Sequence, residues 1–415
     1  MNGIFFILLI YFGSLFLFEF AKEQLNLNQI SSIVPEEFLG FYDKEKYEKA
    51  QTYLKDKTRL HLLKYGLLVS GLLWMIYCQG FNSLDLWSRQ FNLNNILTGL
   101  IFIGLLLLLL QLINLLFSAM NTFVIEEKYG FNKTTLKTFI SDKLIGLFII
   151  SLFGGGFFIV MMLIFDTYKE LFGGYAWVVA WLISVALEIL LFFIVPVFIL
   201  PLFNKFSPLE EGELKNTIES FAEKQNFHLQ GLFTMNGSKR STKANAFFTG
   251  FGKSRRIVLF DTLINNFTTD ELVVILAHEI GHYKKKHITQ QLILSIFVSG
   301  IGFFIFSRLL NNETIFLAFN MEHISIYASF ILVLVLLFPL LNLLSIVTNS
   351  LSRKNEYEAD QYAIENTGSG EAMISSLKNL SVSSLANLSP HPLKVLVDYT
   401  HPPVLQRINA IRKMN

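Results

Sequence analysis

The 415-residue chain reads as a mostly α polytopic membrane protein, with seven transmembrane helices and a small α+β insert outside the bilayer. Three observations predict this class. Hydrophobic residues make up 52% of the sequence, with 42 Phe, and charged residues only 16%, which exceeds what a soluble protein tolerates. Seven separate stretches are apolar enough to cross a bilayer. Between the fifth and sixth lies one long polar segment whose spacing passes from helix to strand and back to helix. The expected organisation is therefore spans one to five over 1–203, the insert over 204–290, spans six and seven over 291–349, and a C-terminal segment over 350–415.

The apolar stretches run over 4–18, 62–77, 96–117, 144–165, 177–200, 292–306 and 324–347. The second and sixth are short for a bilayer and should extend into their flanks. The first lacks a basic n-region and an Ala-x-Ala-like cleavage site, so it reads as a retained span. Positive charge alternates loop by loop. The first, third and fifth loops and the C-terminal tail carry several Lys and Arg, whereas the second has only Arg89, the fourth only Lys169 and the sixth only Arg308. That pattern places the N-terminus outside and the C-terminus in the cytoplasm. Gly154-Gly155-Gly156 in the fourth span would allow close helix approach or a bend lining a cavity. Glu188 in the fifth should face protein or water, because a carboxylate facing lipid is expensive.

A net charge of +2 identifies no partner, and no basic stretch interleaves with an aromatic platform, which argues against nucleic acid. Cys78 is the single cysteine, so no internal disulfide forms and no cysteine-based metal site exists.

Within the insert, 210–225 has helical spacing, with Leu214, Ile218 and Phe221 on one side. Residues 241–249 and 256–261 read as two strands joined by the glycine-rich turn 250–254. Asn245 and Ala246 lie in a strand expected at a sheet edge, where an extended peptide can be held by backbone hydrogen bonds.

The helix that follows opens on Thr268-Thr269-Asp270-Glu271, a capping box, and ends on Lys284, Lys285 and Lys286. It carries His278-Glu279-Ile280-Gly281-His282. Two His four apart share one helical face and can bind one metal ion, while Glu279 beside them can take a proton from water that the metal activates. Zinc needs a third protein ligand. His287, five past His282, points off the metal-binding face, which leaves Glu356 as the better candidate. Asp360, four residues on, falls on the same face as Glu356 and can accept the outer ring N–H of a ligating His, whereas Glu358 points elsewhere. Two spans separate His282 from Glu356, so both emerge on one side of the membrane.

Several separated motifs then point one way. The segments 123–133, 201–206, 238–241 and 245–246, the His278 helix, Arg353-Lys354-Asn355-Glu356-Tyr357-Glu358-Ala359-Asp360 and His401-Pro402-Pro403 resemble type I CAAX prenyl proteases, integral-membrane zinc metalloproteases of the gluzincin kind. The likeness spans nearly the whole chain. It implies seven spans enclosing a water-filled chamber, and one Zn2+ per chain held by His278, His282 and Glu356. It further implies Glu279 as general base and acid, Asn245 and Ala246 on the substrate backbone, His401 and Arg407 stabilising the oxyanion or positioning the peptide, and Asp360 as the acid behind a ligand.

The activity so implied is removal of the last three residues from a prenylated Cys-a-a-X protein by a monomer in a lipid bilayer, with the site on the cytoplasmic side. Two other readings remain at this point: a quality-control protease acting on unlipidated misfolded or stalled membrane proteins, and a transporter that merely contains a metal site. Compact length and few Pro favour a bacterial plasma membrane, and a eukaryotic source would place the chain in the endoplasmic reticulum.

Overall fold

A computed structural model describes residues 3–227, 229–249 and 256–414. Among them, seven helical stretches are long and apolar enough to cross a membrane: Phe5–Leu27, Lys44–Tyr77, Asn95–Glu126, Leu136–Thr167, Lys169–Phe203, His287–Leu309 and Ile326–Thr367. In hydrocarbon every backbone N–H must find a partner within its own segment, so an apolar run of this length has little choice but helix. Each overlaps one of the expected apolar stretches, the first starting at Phe5 and the seventh at Ile326 where 4 and 324 were expected, and the short second and sixth lengthen into their flanks.

Two spans leave the bilayer as rigid arms. The second starts at Lys44, where Asp43 caps it by accepting from the Lys46 N–H at 2.6 Å, and its first turns are too polar for lipid. The seventh is the N-terminal half of a 42-residue helix, Ile326–Thr367, whose charged second half carries Glu356 and ends at Gly368 in the left-handed conformation with φ of 67°. Because that helix is continuous, the span rigidly sets the direction of the Glu356 carboxylate.

The Gly154-Gly155-Gly156 run corrects the expectation of close helix approach. A Cβ on Gly155 or Gly156 would meet nothing within 4 Å, and on Gly154 only its own helix at Ile150. What the run joins is a π-helical turn, Ile150–Gly154.

The insert builds a four-stranded sheet, β1 (Phe206–Pro208), β2 (Gly231–Met235), β3 (Ala246–Thr249) and β4 (Arg256–Phe260), in the order β1-β2-β4-β3. β3 pairs antiparallel with β4, Ala246 opposite Leu259 and Thr249 opposite Arg256, and lies at the edge. β2 runs parallel to β4. The expected hairpin is therefore present but shorter, since β3 begins at Ala246 where 241–249 was expected to be extended. Its turn, 250–254, lies outside the described residues. β1 and β2 were not anticipated.

The helix Glu213–Lys224 and the motif helix Thr269–Lys284 cover the sheet, burying Ile218, Ala222, Ile257, Leu259, Leu263, Leu276 and Ile280 in one cluster. A second cluster joins the polar N-terminal end of span two to the C-terminal helices Gly370–Ser383 and Val404–Met414, through Tyr47, Tyr53, Ile364, Ile374 and Ile408. The motif helix thus lies between two independently packed bodies.

Candidate metal centre

The motif helix is built as its sequence requires. Thr268 and Glu271 form the reciprocal capping box, and Glu271, itself buried, also accepts from Ser375 Oγ at 2.6 Å and Asn379 Nδ2 at 2.7 Å. Its start is thereby tied to the helix Gly370–Ser383. Further along, Gly281 permits close approach of the seventh-span helix: a Cβ there would lie 3.2 Å from the Cα and carbonyl O of Ala359 and from Tyr362 Cβ. These two helices make the most extensive pairing in the described structure.

The crossing brings His278, His282 and Glu356 together, one ligand atom from each lying within 4.8 Å of the others. His278 Nε2 and His282 Nε2 are 3.1 Å apart, and each stands 3.4 Å from an oxygen of Glu356. Three donors on a tetrahedral zinc with bonds of 2.0–2.1 Å would be separated by about 3.3 Å, so the set fits the ion with little rearrangement. Glu356 Oε2 is buried and makes no hydrogen bond, the state of an acceptor turned toward a cation rather than a donor.

Around these atoms lies a second layer. Asp360 Oδ1 is 2.9 Å from His278 Nδ1, at an angle too bent for a good hydrogen bond. Arg407, buried, grips Asp360 in a fork, Nε to Oδ2 at 2.8 Å and Nη2 to Oδ1 at 2.6 Å, with Nη1 3.3 Å from Glu356 Oε2. Burial opposes its charge, but Asp360 outweighs that and raises the guanidinium pKa further. His401 places Nε2 3.3 Å from Glu356 Oε1 and remains mostly exposed. Glu279 is half-buried beside the ligands, and burial pushes its carboxyl above the ordinary carboxylate range.

Every residue expected at the site except the Asn245–Ala246 pair thus stands in one layer or the other. Those two stand at the entry to the edge strand, where the Asn245 carbonyl accepts from the Phe260 N–H at 3.0 Å. Phe248 of β3 packs on Tyr283 of the motif helix with ring centroids 5.9 Å apart, so the strand runs alongside the metal-binding element.

Two features escaped sequence reasoning. His287 and Glu358, read as pointing away from the metal, do not belong to the ligand group but do reach it from behind, His287 through His282 and Glu358 through His287. Arg240 ties the insert to the spans, through Asp142 (Nε to Oδ2 at 2.7 Å, Nη2 to Oδ1 at 2.8 Å), Asn204 Oδ1 at 2.7 Å and the Phe203 carbonyl at 2.7 Å. Close by, Lys243 Nζ donates to Glu126 at 2.9 Å, and Glu126 also accepts from Tyr53 at 2.6 Å. Segments 123–133, 201–206 and 238–241, far apart in sequence, therefore meet at one seam. Their shared presence was the only available signal.

Comparison with known proteins agrees with this geometry. Residues 23–205 match the family described as CAAX prenyl protease N-terminal, five membrane helices, and residues 208–415 match peptidase family M48. The chain is 34% identical over 398 residues to CAAX prenyl protease 1 of Saccharomyces cerevisiae, covering 89% of this chain and 86% of that one. It is 33% identical to the CAAX prenyl protease 1 homolog of Arabidopsis thaliana, covering 93% of each. The crystal structure of S. mikatae Ste24p superposes with a TM-score of 0.92 at 31% identity, covering 99% of both chains.

Proposed function

The chain belongs to peptidase family M48 as a multi-pass membrane zinc metallopeptidase homologous to CAAX prenyl protease 1, and from that premise we propose that it removes the last three residues of prenylated Cys-a-a-X proteins at the cytoplasmic face of its membrane. The observation that carries this reading is the convergence of two imidazole nitrogens and one carboxylate oxygen, from residues separated by two spans, on one small space beside Glu279.

One zinc ion held by His278, His282 and Glu356 would supply Lewis acidity that polarises the scissile carbonyl and acidifies water. The chain's own residues do the rest. Glu279 takes the proton from the attacking water and returns it to the leaving amine. His401, mostly exposed, with Nδ1 2.9 Å from Thr400 Oγ1 and Nε2 3.3 Å from Glu356 Oε1, is the side-chain donor that can turn to the developing oxyanion. Arg407 has its guanidinium engaged with Asp360 and Glu356, so its part is to hold those carboxylates in place. The edge strand from Ala246 holds the peptide backbone, with Asn245 at its start.

A prenylated substrate also needs room for its lipid. An interior left open between the spans would give that room. As an M48 peptidase the chain is an enzyme, and the transporter reading falls away.

The test is cleavage of matched farnesylated and unlipidated Cys-a-a-X peptides by purified protein whose zinc content is measured in parallel. Zinc with strong preference for the farnesylated peptide supports the proposal. Equal cleavage of unlipidated chains moves the assignment to membrane quality control, and protein without zinc or hydrolysis sinks it.

A further inference from the structure

We propose that His287 and Glu358 form a relay that orients the metal ligand His282, so that the zinc site rests on two different supports, one behind each histidine. The inference rests on the ligand assignment above and concerns two residues outside it.

The chain of contacts starts at the metal-facing atom. His282 Nε2 points toward His278 Nε2 and Glu356, so a neutral imidazole ligand must carry its proton on Nδ1. That nitrogen lies 3.0 Å from His287 Nδ1. His282 therefore donates, and His287 Nδ1 must be the bare acceptor. The proton of His287 then sits on Nε2, which faces Glu358 Oε2 at 3.2 Å. Each tautomer follows from the one before it, and the series ends on a carboxylate that fixes the last one.

The placement of the two residues is equally specific. His287 is the first residue of the sixth-span helix, just after Lys286 in the left-handed conformation with φ of 60°. That sharp reversal turns a side chain five residues beyond His282 back onto the ligand. His287 is 1% exposed, so water does not replace its contact. Glu358 is on the same helix as Glu356 and Asp360 and is held from outside by Lys354 at 3.6 Å. One helix thus supplies a ligand, the acid behind His278 and, through His287, the acid behind His282. The His278–Asp360 contact is bent, whereas the His282–His287 contact has good hydrogen-bond geometry, so the relay is the better-formed of the two supports.

The test compares wild type with His287→Phe, His287→Gln and Glu358→Gln in the full-length protein. It uses zinc affinity from chelator competition and the visible absorption of the cobalt-substituted protein, both independent of peptide cleavage. Loss of the acceptor in His287→Phe should weaken zinc binding roughly 10–100-fold and shift the cobalt spectrum, and Glu358→Gln should do the same to a smaller extent. His287→Gln, which restores an acceptor, should recover part of the loss. Where His287→Phe fails to fold, Glu358→Gln decides alone, because Glu358 is partly solvent-exposed and its loss leaves packing intact. Unchanged affinity and spectrum in Glu358→Gln overturn the relay while leaving the peptidase reading intact. A wild-type protein that binds no zinc overturns both.

Discussion

Glu279 and Arg407 stand beside the same ligands, yet their partners predict different failures when each is changed. Glu279→Gln keeps shape and leaves the three ligands untouched, so zinc content should hold while turnover of a farnesylated peptide falls roughly 10²–10⁴-fold, the usual worth of a general base. Normal turnover in that variant would remove Glu279 from the mechanism. Arg407→Lys loses the fork to Asp360, because an ammonium cannot reproduce two parallel N–H donors. Asp360 then keeps a positive neighbour but loses its paired donors, and a cost of about 1.5–3 kcal/mol is expected, read as a lower thermal unfolding midpoint of the metal-free protein. An unchanged midpoint would show that Arg407 supports nothing. Residue spacing made Glu279 legible beside the two histidines and Asp360 legible beside Glu356, since each of these relations lies within a single helix, whereas the pairing of Glu356 with the histidines crosses between two. Arg407 was legible only as a resemblance, because its tie to Asp360 crosses 47 positions of chain.

At the scale of elements, the crossing of the motif helix with the seventh-span helix is what turns two sequence motifs into one site. Gly281 sets how closely they approach, and Gly281→Val would force a separation that also draws Glu356 from the histidines. Overpacking of this kind costs about 1–3 kcal/mol, and here zinc affinity should fall along with the unfolding midpoint. A variant that loses stability but binds zinc normally would mean the helices part elsewhere. The seam at Arg240 is the other junction, where a double-mutant cycle of Arg240→Ala with Asp142→Ala should give a coupling on the order of 1–3 kcal/mol in unfolding. Additive effects would show that the insert does not lean on the fourth span there. The capped motif helix and the edge hairpin could be read in advance from cap residues and alternation. β1 could not, because Phe206-Ser207-Pro208 is three residues long and ends on a Pro that can only sit at an edge. β2 pairs with β1 and β4, and its five residues had no turn signal to mark them.

Across the whole molecule, the sequence pattern specified the number of spans, and loop charge predicts their direction. Two spans lie between His282 and Glu356, and the structure does bring those residues together, which an odd number would have forbidden. What hydropathy does not carry is where helix continues past lipid, as in the polar start of the second span and the charged half of the seventh. The direction itself has a direct probe in the one native thiol. Cys78 caps the second span and is exposed, so with the N-terminus outside it should lie on the external face, opposite the metal site. A membrane-impermeant maleimide that reaches only the external or lumenal side of sealed membranes should label it. In a Cys78→Ser background, Lys354→Cys, two residues before Glu356 on the same helix and exposed, should be labelled only after the membrane is opened. If both thiols react from the same side, the seven-span path is wrong. If both react but with sides exchanged, the path stands and the site faces away from the cytoplasm, where newly prenylated proteins would not meet it.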